Sequence, residues 1–152
     1  MSKRFGLGVF SRQVTEIMPL IIREFGKRED NALARGQITC PQMVTLHFLL
    51  RKPRATATEI AHLLGVKGSS ASVLVDRLLR AGMIAKTRDE ADRRVTWLRV
   101  TPKGRKVITQ ILTQKRRSVR AVFARLTDAE RASYLSILKK IKAGIEKESS
   151  DA

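Results

Sequence analysis

The chain has 152 residues, of which 31 are Lys or Arg and 14 are Asp or Glu, so its formal net charge is +17. This length suits one domain with a hydrophobic core, and a hydrophobic content of 43% excludes a chain that is only a disordered basic tail. The charge favours a polyanionic partner such as double-stranded DNA. No apolar run approaches the roughly 18 residues that span a bilayer, and no secretory signal is recognisable, so we expect a cytoplasmic protein with no membrane partner.

Residues that build catalytic or metal sites are few. Cys40 is the one cysteine, which excludes an intramolecular disulfide and leaves no cysteine cluster for zinc. His47 and His62 stand alone, and neither glycine fingerprint for phosphate binding occurs. We therefore expect no metal, no cofactor and no enzymatic activity. Cys40 lies where helix amides favour a thiolate, so it is interpreted either as an oxidant sensor or as an inert cysteine.

The N-terminal segment, residues 5 to 27, predicts an amphipathic helix that is kinked at Pro19. Its apolar side chains recur at steps of three and four; they are Phe10, Val14, Ile17, Ile21 and Phe25. So small a domain has few places to bury them. The helix is therefore interpreted as an association surface, and packing on the rest of the same chain is the alternative.

Two short helices are predicted after a polar connector at residues 31 to 37. Thr39 as a cap and Pro41 in the first turn indicate where the first of them begins. Its predicted buried stripe consists of Met43, Leu46 and Leu50. Arg51 to Ala57 ends that helix, and a compact helix from Thr58 is closed by Gly65.

The stretch from Lys67 to Thr101 combines an exposed polar helix with a basic hairpin. In the helix, Ala71, Leu74 and Leu78 share one face, so small hydroxyls and Arg77 point elsewhere. Two runs with strand character, Met83 to Arg88 and Val95 to Val100, enclose a charged turn. Two helices joined by a glycine-containing turn and followed by a hairpin predict a winged helix-turn-helix.

Two further helices are predicted towards the C-terminus. Thr101 and Pro102 indicate the start of a long basic helix, and Thr127 with Glu130 forms a capping box that begins the last one. The apolar stripe of that last helix consists of Tyr134, Leu138, Ile141 and Ile145. From residue 93 to residue 127 the chain holds eleven Lys or Arg and no acidic residue. Positive charge is thus concentrated in the hairpin tip and in the helix after it.

These motifs together resemble the signature of the MarR family of transcriptional regulators. The matching residues are Leu64–Val66, Ser69–Ser72, Val75–Leu78, Gly82–Ile84, Asp92–Arg94, Leu98, Val100–Gly104 and Leu126–Arg131. The resemblance implies a mainly α fold with a small β-hairpin wing, in one domain over residues 1–152. A winged helix-turn-helix lobe at 38–101 would be flanked by dimerisation helices at 5–37 and 102–147. It also implies a homodimer that binds pseudo-palindromic DNA operators.

The resemblance also implies which residues contact DNA. Carried over by position, they are Lys67, Ser69, Ser70, Ser72, Val73 and Arg77 on the groove-facing helix, and Arg93 and Arg94 at the wing tip. Asp92 would be the carboxylate that fixes the wing arginines. Val73 stands where the family usually has a polar or basic residue, which predicts contact with a thymine methyl group.

Simpler interpretations remain open for these residues. Serines at the start of a helix are often only caps. Arg77 could instead pair with a carboxylate, either Asp76 or Asp92, and the wing arginines could be solvated charges of a turn.

The implied function is a repressor that is relieved by a small aromatic or phenolic ligand. A pocket for that ligand would be lined by Ile17, Met18, Ile21, Met43, Leu46 and Ile111, although each of these could equally belong to a plain core. The alternative function, favoured by the large charge, is an architectural DNA-binding protein with weak sequence preference. The ratio of specific to non-specific affinity separates the two.

Overall fold

A computed structural model of the chain describes residues 5–27 and 29–150, without the side chains of residues 149 and 150. Within these residues the elements are α1 (Leu7–Gly26), α2 (Cys40–Arg51), α3 (Ala57–Leu64), α4 (Gly68–Arg80), β1 (Ile84–Arg88), β2 (Thr96–Val100), α5 (Pro102–Phe123) and α6 (Asp128–Ser150). They divide into two compact units. Residues 5–27 and 117–150 form the helical unit, and residues 29–116 form the winged unit. In this part of the chain, no helix is both long enough and apolar enough to cross a membrane.

Side-chain caps define where α2 and α3 begin. The hydroxyl of Thr39 accepts a hydrogen bond from the Gln42 amide, and the Gln42 side chain accepts one from the Thr39 amide at 2.8 Å. This reciprocal box confirms the predicted cap at Thr39. Thr56 and Glu59 form the same arrangement, so α3 begins at Ala57, one residue before the predicted start. Each cap of this kind typically stabilises a helix by about 1 kcal/mol.

The core of the winged unit is built from large aliphatic side chains of several elements. Those with at most 1% exposure are Leu46 and Leu49 of α2, Ile60 of α3, Leu78 of α4, and Ile108 and Ile111 of α5. Full burial of each such side chain is worth about 1.5–3 kcal/mol. The predicted stripe of α2 was partly wrong, because Leu49 is buried while Met43 and Leu50 are only half-buried. Because a helix rotates by only 100° per residue, the spacing alone does not decide which of two adjacent leucines, Leu49 or Leu50, faces the core.

The wing is an antiparallel hairpin in which Ile84 pairs with Val100 and Arg88 pairs with Thr96. Its inner strand β2 also forms a short bridge to the loop between α2 and α3. There the Ala55 amide donates to the Leu98 carbonyl at 3.1 Å, and the Leu98 amide donates to the Ala55 carbonyl at 2.7 Å. This contact joins the wing to the helix-turn-helix.

The connector before α2 is fixed to α5 through the side-chain amide of Gln114. The Gln114 oxygen accepts from the Asp30 amide at 2.9 Å and from the Asn31 side chain at 2.8 Å, and its nitrogen donates to the Asp30 carbonyl. Asn31 is consequently 1% exposed, and the segment is packed rather than being only a polar linker. Nearby, Lys115 forms an ion pair at 3.4 Å with the mostly buried Glu29.

The helical unit consists of α1, the end of α5 and α6. α1 continues as one helix through Pro19. Phe123 lies between two aromatic rings, with its centroid 6.2 Å from that of Phe25 and 5.1 Å from that of Tyr134. Thr127 and Glu130 form the predicted capping box at the start of α6.

A substitution at Gly104 is the most direct test of the packing of the winged unit. A β-carbon at this position would lie 2.0 Å from the Met83 carbonyl oxygen, and backbone cannot move aside cheaply. We expect Gly104→Ala to lower the free energy of unfolding by about 2 kcal/mol or more, which corresponds to about 4–8 °C in the midpoint of thermal unfolding. Gly68→Ala is the matched control in the same unit, since nothing lies within 4 Å of its added carbon. Equal midpoints for the two variants would contradict this packing.

Candidate nucleic-acid interface

The helix α4 presents small polar side chains to solvent. Lys67 is the residue that caps it, and no side-chain hydrogen bond contributes to the cap. The hydroxyls of Ser69, Ser70 and Ser72 are exposed, and none of them bonds to another residue in the described ranges. The serines are therefore not caps, and their hydroxyls are available to an external partner. Ala71, Val75 and Leu78 are buried, which fixes this orientation of the helix.

Val73 and Arg77 lie on the same exposed side of α4. The side chain of Val73 is 54% exposed, although burial would be favourable for it. Both residues line a groove of about 350 Å³ between α4 and the start of α2; its walls are Thr39, Pro41, Gln42, Ser70, Val73, Leu74 and Arg77. Within residues 29–150, Arg77 forms no ion pair with Asp76 or Asp92, so the carboxylate-partner interpretation has no support.

At the wing tip, Asp92 holds one of the two predicted arginines. One Asp92 oxygen accepts from the Arg94 amide at 3.0 Å and from Arg94 Nε at 3.2 Å, and the other is 3.4 Å from Nη2. The Arg94 side chain nevertheless remains 92% exposed. Arg93 is exposed and contacts no carboxylate among the described residues, so Asp92 orients Arg94 alone.

The residue that organises the turn is Asp89, which the sequence did not single out. One of its oxygens accepts from the amides of Ala91 at 2.9 Å and Asp92 at 3.0 Å. Its other oxygen accepts from Trp97 Nε1 at 2.6 Å and lies 3.9 Å from Arg54 Nη1. These contacts lower the pKa of the Asp89 carboxyl below its usual value; the Trp97 hydrogen bond is the largest cause, the two amides follow, and the Arg54 charge adds least.

Arg54 also belongs to the site and was not identified from the sequence. Its guanidinium lies over the indole ring of Trp97, 4.3 Å from the ring centroid. Arg54 precedes the hairpin by about thirty residues and lies in a loop, where no periodicity indicates its neighbour. The available signal was the single tryptophan of the chain, which occupies a strand of an otherwise charged hairpin.

The junction between α4 and α5 is held by Thr101. Its hydroxyl donates to the Gly82 carbonyl at 2.7 Å and accepts from the Gly104 amide at 3.1 Å, so the predicted cap is confirmed. Lys103 donates to the Ala81 carbonyl at 2.7 Å. Gly82 has φ of +68°, a conformation that glycine adopts without strain. The end of α4, the wing and the start of α5 are therefore joined at one turn that these hydrogen bonds hold.

Positive charge dominates the winged unit. Residues 29–116 contain seventeen Lys or Arg and seven Asp or Glu. Three of the seven acidic side chains, those of Asp89, Glu90 and Asp92, lie in the turn of the wing. Their charge is offset by the arginines around them, so the unit as a whole attracts polyanions.

The other predicted sites are placed as follows. Leu46 and Ile111 are completely buried in the core of the winged unit, with Met43 packed against it. Ile17 and Met18 are exposed in the helical unit, where Ile21 is half-buried. The ligand pocket that would use these residues stays a prediction. Cys40 is exposed, and within the described ranges no three His, Cys, Asp or Glu side chains are grouped to hold a metal.

Fold and site together define a winged helix-turn-helix protein that binds DNA. The model of the MarR family matches residues 37–95, from just before α2 to the turn of the wing. The uncharacterized HTH-type transcriptional regulator YsmB of Bacillus subtilis is 30% identical over 122 residues, which are 80% of this chain and 82% of YsmB. The chain belongs to the MarR family, as its sequence motifs predicted, and it is a DNA-binding transcriptional regulator, not an enzyme.

Two further comparisons agree with this assignment. The HTH-type transcriptional repressor MdtR of Bacillus subtilis is 27% identical over 115 residues, covering 76% of this chain and 74% of MdtR. The structure of a MarR family protein from Bacillus stearothermophilus has a TM-score of 0.76 and 25% identity, and the match covers 96% of this chain and 99% of that one. The predicted fold class, mainly α with a small hairpin wing, is confirmed.

The Asp89 carboxylate predicts a pH dependence of stability. Because its pKa is lowered in the folded chain, the carboxylate stabilises the wing above the unfolded pKa of 3.8, and this contribution is lost as the pH falls through the folded value. We expect the urea midpoint of the wild type to exceed that of Asp89→Asn at neutral pH, and the difference to shrink below pH about 4. Glu90→Gln, which changes the neighbouring exposed carboxylate, is the control. A difference that is constant with pH would be evidence against the carboxylate contacts.

Proposed function

We propose that this regulator is a homodimer that recognises a pseudo-palindromic operator, represses transcription, and releases DNA when it binds a small aromatic or phenolic ligand. The observation that carries the proposal is the pairing of an exposed helix with an ordered wing: α4 offers unbonded hydroxyls and Arg77, and the hairpin holds Arg94 on Asp92. Such a regulator acts in the cytoplasm, together with the DNA.

The shapes of these two parts fit different grooves of duplex DNA. An α-helix fits the major groove, where hydroxyls and arginine can bond to base edges and the exposed methyl groups of Val73 can contact thymine. The wing tip carries two exposed arginines, and arginine is drawn to the strong negative potential of narrow minor grooves. Lys67 at the start of α4 adds a contact for a phosphate.

Exposed apolar side chains in the helical unit support dimerisation. On α6 the exposed fractions range from 38% to 59%; the residues are Tyr134, Leu135, Ile137, Leu138, Ile141 and Ile145. α1 contains no buried residue, and most of its large apolar side chains are also exposed. Exposed apolar side chains in this number on two helices are uncommon on a monomer and typical of an interface. A second copy of the chain would also supply the second recognition helix that a palindromic operator requires.

Dimerisation can be tested at Ile141, whose side chain is 53% exposed on α6. A carboxylate at the centre of an apolar interface loses its hydration without gaining a partner. We expect Ile141→Asp to weaken self-association by about thirty-fold or more, as measured by sedimentation equilibrium. Lys140→Asp, at the adjacent position of the same helix, should change it far less. If Ile141→Asp sediments as the wild type does, α6 is not part of the interface.

Repression and ligand response rest on similarity to known proteins. The relative MdtR is named as a repressor, and ligand response is implied by the family resemblance. Selection of genomic fragments by the purified protein would supply the operator, and the genes beside the bound sites would indicate the class of ligand.

The net charge of +17 favours a second candidate, an architectural protein with little sequence preference. Titration of the selected fragment with random competitor DNA separates the two. A regulator keeps a ratio of specific to non-specific affinity of about a thousand or more, and an architectural protein does not.

Arg94 is the residue we expect to matter most in the wing. Arg94→Ala should lower operator affinity by about ten-fold or more, because minor-groove contacts of arginine are lost, with no change in the thermal midpoint. Arg116→Ala removes the same charge from an exposed position of the winged unit and is the matched control. An unchanged gel-shift titration for Arg94→Ala would exclude the wing from recognition.

A further inference from the structure

The wing is held to the helix-turn-helix by a cluster of three side chains, Arg54, Trp97 and Asp89, which we call the wing clamp. Arg54 covers the Trp97 ring at 4.3 Å, Trp97 donates to Asp89 at 2.6 Å, and Asp89 faces Arg54 at 3.9 Å. Each residue therefore contacts the other two. They come from three different segments, namely the loop between α2 and α3, the strand β2, and the first residue after β1.

The wing clamp lies on the face of β2 that points away from the core. Successive side chains of a strand point to opposite faces, so Trp97 and Leu98 point in opposite directions. Leu98 is 3% exposed in the core, and its backbone is bonded to Ala55. Trp97 lies under Arg54, the residue before Ala55. Two adjacent residues of the loop thus hold two adjacent residues of the strand, one pair through the backbone and the other through side chains. The side-chain pair is thus a second attachment of the strand to this loop, beside the backbone bridge.

Asp89 connects the clamp to the wing tip. One oxygen bonds to Trp97, and the other accepts from the amides of Ala91 and Asp92. Asp92 in turn accepts from the backbone and the side chain of Arg94. A continuous series of contacts therefore runs from the loop of the helix-turn-helix to the arginine at the tip.

We propose that the wing clamp positions Arg94 for the minor groove by fixing the angle of the hairpin relative to α4 before DNA is bound. The proposal rests on the function proposed above. Arg54, Trp97 and Asp89 are positioning residues in it and act through Arg94. A hairpin that is ordered in the free protein does not have to be ordered on binding, so affinity improves without a new contact to DNA.

The first test needs no DNA. The variant Arg54→Gln removes the cation that lies over the Trp97 ring. The variant Trp97→Phe removes the indole N–H that donates to Asp89, but it keeps an aromatic ring under Arg54. We expect the amides of Ala91 and Asp92 in the folded, full-length protein to exchange hydrogen about ten-fold faster in both variants. Arg51→Gln removes the same charge at the end of α2 and should leave these rates unchanged. Far-ultraviolet circular dichroism and the thermal midpoint verify that each variant is folded. Unchanged exchange in both clamp variants would overturn the proposal.

The second test asks whether Arg54 acts through Arg94. We expect Arg54→Gln to weaken binding of the selected operator fragment by about five-fold to ten-fold, but by less than about two-fold when Arg94 is already Ala. A residue that contacts phosphate itself, or that merely supports the fold, would weaken binding equally in both backgrounds, and that result would overturn the positioning role. Arg54→Lys, which keeps the cation but not the planar group, should restore part of the loss.

The two proposals fail in different ways. If the wild type binds all duplexes equally, the proposed sequence-specific function is wrong. The clamp proposal can then still be tested by the exchange rates and by the same double-variant comparison on a duplex of arbitrary sequence. If the operator is bound specifically but the clamp variants behave as the wild type does in both tests, only the clamp is wrong.

Discussion

The backbone bridge between Ala55 and Leu98 is the contact on which the geometry of the interface depends. A two-stranded hairpin is marginally stable in water by itself, and here it becomes part of a core because Leu98 is bonded to the loop before α3 and buried against the helices. The same loop contributes Thr56, the cap of α3, one residue later. Four consecutive residues, 54 to 57, thus carry the stacking arginine, the bridge, the cap and the start of α3. The order of the wing and the order of the helix-turn-helix are consequently linked.

Local signals in the sequence predicted most of the fold. The caps at Thr39, Thr101 and Thr127 each involve residues within three positions of one another, so their spacing alone identifies them. Asp92 and Arg94 are likewise separated by two residues, and this part of the site was also predicted correctly as a contact. Their role on DNA stays a prediction.

What the sequence did not reveal depends on contacts between distant residues. Arg54 and Trp97 are separated by more than forty residues, and nothing in either segment indicates the other. Gln114 of α5 similarly determines the conformation of Asp30 and Asn31, which the sequence presents only as a polar connector. Even in α2, the choice between Leu49 and Leu50 as the buried residue was made by the neighbouring elements of the core rather than by periodicity. Tertiary packing selects among local patterns that are nearly equivalent.

Charge and geometry contribute different properties to the interface. The excess of Lys and Arg in the winged unit attracts any polyanion, and its contribution decreases with salt whatever the sequence of the DNA. Discrimination needs side chains held at fixed positions against base edges and grooves. In this chain the buried face of α4 fixes the serines, and the contacts of Asp89 and Asp92 fix the wing tip. The carboxylates of Asp89 and Asp92 therefore reduce the general attraction to DNA slightly, but they order the turn and Arg94. A protein that selects its site on DNA requires such fixed geometry even at some cost in general affinity, whereas a protein that only coats DNA does not.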